Sequence, residues 1–124
     1  MNTKVIFIYN ANSGLGNSML DSAHKIFCPS TYNCNLCDIT FGVFTENTVW
    51  KKFRKETDLE FVFLHKDEFE AMYKGTNIVN TSLPIILKEE GGKLNSFIST
   101  KELNAFGEAE DLIKAIKSNF IFLQ

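Results

Sequence analysis

Apolar positions along this chain follow two rhythms. Residues 5–9, Val-Ile-Phe-Ile-Tyr, form a short unbroken run rich in β-formers, the pattern of a buried strand. Asn10, Ala11, Asn12, Ser13, Gly14, Leu15, Gly16 and Asn17 follow as turn chemistry. Met19, Leu20, Ala23, Ile26 and Phe27 then recur at helical spacing, with Ser18 and Asp21 as a capping start. That helix must stop before Pro29, because the residue ahead of a proline avoids helical geometry. Residues 28–37 read as an irregular connection. Ile39, Phe41 and Val43 alternate with Asp38, Thr40 and Gly42, which is the period of a half-buried strand.

Thr45 and Glu46 open a second helix that carries Val49, Trp50 and Phe53. Lys51, Lys52, Arg54 and Lys55 lie on its wet side and late turns, so acid leads and base trails as the helix dipole prefers. Residues 59–64 predict a third strand, and residues 67–73 a short helix with Phe69, Met72 and Tyr73 inward. Residues 83–87 and 94–98 flank Glu90-Gly91-Gly92, a hairpin signal. Ser99 with Glu102 is a capping box, and residues 108–118 form a last helix burying Leu112, Ile113 and Ile116. The resulting order is β-α-β-α-β-α-β-β-α. Its early βαβ units require parallel pairing with right-handed crossovers, and its hairpin adds antiparallel strands. The fold class is therefore α/β, one domain over residues 1–124, with a mixed sheet and helices on both faces.

Composition narrows the function classes. At 44% hydrophobic and 23% charged the chain has the make-up of a globular protein, and its twelve phenylalanines should dominate the core. Thirteen basic residues stand against fifteen acidic ones, so no nucleic-acid footprint is expected. Residues 5–9 are too few for a signal-peptide core, and no stretch nears the roughly 18 apolar residues of a membrane span. A cytoplasmic protein without a membrane partner is expected. The three cysteines, Cys28, Cys34 and Cys37, then argue for thiols, a metal site or a redox pair rather than a disulfide framework.

The element order resembles the thioredoxin fold, and the most telling stretch is Ser82-Leu83-Pro84-Ile85-Ile86-Leu87, then Glu90-Gly91-Gly92, a strand and a closing amphipathic helix. The resemblance implies a cis Leu83–Pro84 bond and a binding role for Pro84. It also exposes a departure. Where thioredoxins place Cys-x-x-Cys after the first central strand, this chain has Ser13-Gly14-Leu15-Gly16, so their mechanism does not carry over directly. The chain is also similar to a group of small uncharacterised bacterial proteins that share Tyr-Asn-Ala-Asn-Ser-Gly, here residues 9–14, and Ser-Thr-Tyr-x-Cys-x-Leu-Cys, here residues 30–37. That second resemblance implies no established activity.

Cys34-Asn35-Leu36-Cys37 is a Cys-x-x-Cys whose spacing lets two sulfurs meet in a tight turn, as a disulfide or as metal ligands. In the redox reading Cys34 attacks and Cys37 resolves, or the reverse. A strand is expected after Cys37, so no helix N-terminus is on hand to acidify a thiol; Lys25 or His24 would have to supply positive charge. In the metal reading His24, Cys28, Cys34 and Cys37 form a Cys₃His set for zinc, with His24 and Cys28 sharing a helix face. In the third reading the cysteines are small apolar packing residues. The alternative to a redox protein is a non-catalytic binding module, which the zinc set would staple if metal is bound.

Other candidates are less specific. The glycines after the first strand suggest a phosphate cradle, but no Gly-Lys-Ser/Thr follows and the dinucleotide fingerprint is incomplete. Asn10, Asn12 and Ser13 nonetheless stand at the carboxyl end of a strand, where α/β sheets bind small molecules. His65, Asp67 and Glu68 form a polar cluster that could supply a general base but reads better as a solvated helix start, because acids belong in a first turn. The apolar tail at residues 120–123 either packs back as a helical turn or buries against a second copy, making a homodimer.

Overall fold

The computed structural model describes residues 3–10, 35–40, 46–73 and 82–119. The elements in chain order are β1 (Thr3–Tyr9), α1 (Asn35–Ile39), α2 (Thr48–Glu56), β2 (Glu60–His65), α3 (Lys66–Met72), β3 (Ile85–Glu90), β4 (Lys93–Ile98), α4 (Thr100–Ala105) and α5 (Ala109–Asn119). The four strands form one mixed sheet in the order β2-β1-β3-β4. β1 runs parallel to β2 and antiparallel to β3, and β4 runs antiparallel to β3. The parallel pair needs its long crossover; the antiparallel pair closes through Gly91 and Gly92 at φ 58° and 83°, backbone that favours glycine.

β1 is central, which explains its unbroken apolar run. Val5, Phe7 and Tyr9 point into one layer, with buried residues of α1, α2, α4 and α5. Ile6 and Ile8 point into the other, with Phe69 of α3 and Leu64. Helices therefore cover both faces. The first layer is aromatic: Phe7 lies 4.9 Å from Phe61 and 5.4 Å from fully buried Trp50, both edge-on, and 4.8 Å from Phe63. Each such pair contributes about 0.5–1.5 kcal/mol beyond the area it buries.

Several expectations change. Residues 35–37 are helical rather than irregular, and Ile39 ends that helix instead of opening a strand. Leu36, Cys37, Ile39 and Thr40 bury at helical spacing, and that packing overrides the alternation read from Ile39 onward. The second strand of the expected order is thus not found among the described residues; positions 41–45 lie outside them, as do the first expected helix and the tail. In α2 the cap is Asn47, whose side chain accepts from the Trp50 amide, so Glu46 stands before the helix. Glu46 still serves α2 by holding Arg54 through bonds of 2.5 and 2.8 Å, and this hydrogen bonding, helped by the Glu46 charge and opposed by burial, holds the guanidinium pKa above its ordinary value. Val49 and Met72, read as inward, are 42% and 50% exposed, because Trp50 and Phe69 occupy the buried stripes of their helices. The capping box of α4 is present, with Ser99 and Glu102 bonded reciprocally at 3.1 and 2.9 Å. Among the described residues no helix is long and apolar enough to cross a membrane.

Candidate functional site

Three strands meet at one edge of the sheet. Because β1 and β2 are parallel, Tyr9 and His65 pair at their carboxyl ends. β3 runs the other way and starts at Ile85, opposite Ile8. Pro84 is buried, follows Leu83 through a cis peptide bond, and stands one residue beyond that pair. Asn10 makes a half-buried bend just past Tyr9. Loops diverge at the carboxyl ends of strands, which is why α/β sheets receive ligands there.

α1 is fastened to this edge from two sides. Thr40, in the turn after α1, donates its hydroxyl proton to the Leu36 carbonyl at 2.5 Å. A hydroxyl has one proton, so the Tyr9 hydroxyl donates to Thr40 Oγ1 at 3.0 Å; both groups are buried. On the other side Asn35 donates from Nδ2 to the carbonyls of Leu103 at 2.7 Å and Phe106 at 2.8 Å. Both carbonyls stand at the end of α4, where that of Leu103 also accepts the Phe106 backbone N–H at 3.3 Å. Between the anchors lies Cys37, 4% exposed, in the same apolar cluster as Leu36 and Ile39. α1 is little more than one turn, too short to stand alone, so these contacts hold it.

At the end of β2 a second polar group is buried. His65 is fully buried, and its Nδ1 lies 2.8 Å from Glu68 Oε1. The same oxygen accepts the His65 backbone N–H at 2.7 Å, so Glu68 reaches back over the start of α3. Its other oxygen, Oε2, is buried without a hydrogen-bond partner among the described residues. The expected solvated cluster is therefore corrected: only Asp67 is exposed, because α3 begins at the last residue of β2 and folds Glu68 against the sheet.

Of the residues named from sequence, Asn10, Cys37 and Pro84 lie at or are tied to this edge. Asn12, Ser13, His24, Cys28 and Cys34 lie outside the described residues, so Cys37 alone of the zinc set is described. Among the described residues no three His, Cys, Asp or Glu side chains come together. Sequence reasoning missed Tyr9, Asn35 and Thr40 as anchors. Asn35 and Thr40 bond to partners distant in the chain or hidden by the strand reading; the His65–Glu68 spacing alone carried a legible signal, that of a residue and its N3 acid. Compared with known proteins, the chain matches no family model, no curated protein and no solved structure.

Proposed function

We propose that this chain is a thioredoxin-like α/β domain that carries a thiol–disulfide redox site at Cys34 and Cys37. The observation that carries the reading is the fastening of α1, and with it Cys37, to the carboxyl edge of β1 through Tyr9 and Thr40. That edge also bears Pro84, and the mixed sheet, in which a parallel pair is joined by an antiparallel hairpin, agrees with the mixed sheet expected from the sequence. The burial of Cys37 suits a resolving thiol, which meets its target within its own chain. Cys34 then attacks one sulfur of a substrate disulfide as thiolate, forming a mixed disulfide and releasing the other half as a thiolate. Cys37, deprotonated, attacks Cys34, closes the internal disulfide and releases the second substrate thiolate. Two electrons pass from the dithiol to the substrate, and both thiolates take up protons.

The same burial supports a second reading, a non-catalytic binding module in which Cys37 packs as a small apolar group with Leu36 and Ile39. Equilibration in graded glutathione buffers, followed by thiol trapping and mass spectrometry, separates the two. The redox reading expects a Cys34–Cys37 disulfide with a midpoint between about −200 and −320 mV, the span of glutathione poises. Cysteines that stay reduced throughout that range, or that pair only through Cys28, overturn it in favour of the module.

A further inference from the structure

α2 and α5 pack side by side and leave a groove of about 540 Å³ open between them. Val49, Lys52, Phe53 and Glu56 face it from α2, recurring at three- and four-residue steps, and Ile113 and Lys117 face it from α5. The floor is apolar. Val49 is 42% exposed, Phe53 and Ile113 are half-buried, and Lys117 Nζ lies 5.8 Å from the centre of the Phe53 ring.

The charges of this stripe are set against their own helix. Lys52 precedes Glu56 by four residues, whereas acid before base gives the better pair within one helix. Glu56 also ends α2, where the negative pole of the dipole opposes an acid. Both side chains are exposed, and neither enters an ion pair among the described residues. An antiparallel copy of α2 resolves both conflicts, because it offers Glu56 a lysine and the positive pole of a helix together.

We propose that the groove between α2 and α5 is the interface of a homodimer, with the two copies of α2 antiparallel about a two-fold axis near Phe53. A two-fold contact is self-complementary, so each pairing is made twice. Counting outward from Phe53, Glu56 falls at the level of Trp50 of the second copy, in the first turn of its α2 and two residues from its Lys52. Two residues are about 3 Å of helix rise, well within the reach of a lysine. Val49 and Phe53 of each copy then close over the apolar floor of the other. A single stripe carries both halves of the pairing, so a second copy of this chain supplies what an unrelated helix would have to match.

Sedimentation equilibrium of the 124-residue chain, from micromolar to millimolar, should show the mass rise from one chain to two. Reductant in the buffer keeps intermolecular disulfides out of the measurement. Val49→Glu puts a charge on the floor and should hold the chain as a monomer; circular dichroism checks that this exposed site leaves the fold intact. Lys52→Glu and Glu56→Lys each turn two attractions into two repulsions and should raise the dissociation constant about tenfold. Mixed in equal amounts, these two variants should associate again as a heterodimer, since one brings two acids and the other two bases. A wild type that stays monomeric throughout overturns the proposal and leaves the groove to residues 120–124 or to another protein. A dimer indifferent to all three substitutions overturns it by placing the interface elsewhere. Charge reversals that weaken the dimer but fail to rescue each other overturn the antiparallel pairing of α2.

Discussion

At one end of the sheet Tyr9, Thr40, His65 and Glu68 keep their polar atoms out of water, while at the other Thr3, Lys88 and Glu90 make similar contacts in the open. The Tyr9–Thr40 bond is buried, and so is the His65–Glu68 contact. The Thr3–Glu90 bond at 3.1 Å is exposed, and the Lys88–Glu90 pair is 3.6 Å long with side chains 31% and 44% exposed. The Tyr9–Thr40 and Thr3–Glu90 bonds are nearly equal in length, but the consequences of breaking them differ. Water replaces a lost partner at the hairpin end, whereas a buried donor or acceptor at the carboxyl end that loses its partner bears the cost of its desolvation. α3 spans both regimes, beginning at the His65–Glu68 contact and ending at Tyr73, whose hydroxyl donates to Glu89 at 3.5 Å. A polar network kept dry at one end only is the reason to look for function there.

Glu68→Ala should cut most deeply. It strips the acceptor from both the ring and the backbone of fully buried His65, and a loss of about 3 kcal/mol is expected in urea unfolding. A loss under about 0.5 kcal/mol, the range of ordinary surface changes, would show that water already reaches this end and erase the contrast. Tyr9→Phe removes one buried bond while Thr40 keeps its bond to Leu36, so about 1.5 kcal/mol should be lost. At the hairpin end the largest effect should come from the backbone. Gly92→Ala meets no atom within 4 Å, so its cost of about 1 kcal/mol reflects only the positive φ of 83°. Glu90→Ala should stay within about 0.5 kcal/mol, measured by the same unfolding curves.

The smallest effect concerns pH. Burial raises the Tyr73 pKa above its ordinary value, and the nearby Glu89 charge and the bond to Glu89 raise it further. The folded chain therefore holds this proton more tightly than the unfolded one. Its contribution is complete below the ordinary tyrosine pKa of about 10 and is lost as pH rises from there through the folded value. Thermal melts across that window should fall less steeply for Tyr73→Phe than for wild type. Parallel slopes would place Tyr73 in the wet regime with Glu90.

Much of the frame was legible because its signals are local. The apolar run of residues 5–9, the Glu90-Gly91-Gly92 turn and the Ser99–Glu102 box each draw on neighbours a few positions apart, and β1, the β3–β4 hairpin and the α4 cap follow them closely. β2 and α5 begin within one residue of the expected 59 and 108. The misreading at Ile39 has the opposite origin. Alternation over a few residues fits a strand, but Leu36, Cys37, Ile39 and Thr40 gain burial only as a helical turn against Tyr9 and α4. Val49 failed likewise, since both Val49 and Trp50 are apolar and the larger ring took the inward stripe.

Local chemistry along the chain was enough to settle the element types around the hairpin and the central strand, the proline at the head of β3, and the presence of a Cys-x-x-Cys. Folding alone brought Asn35 to the carbonyls of Leu103 and Phe106, set Tyr9 beside His65, and drew Glu68 under the sheet. Periodicity encodes which face of an element is apolar, because each element repeats over a few residues. Which polar atoms meet in the dry interior depends on partners dozens of residues apart, and only the packed chain brings those together.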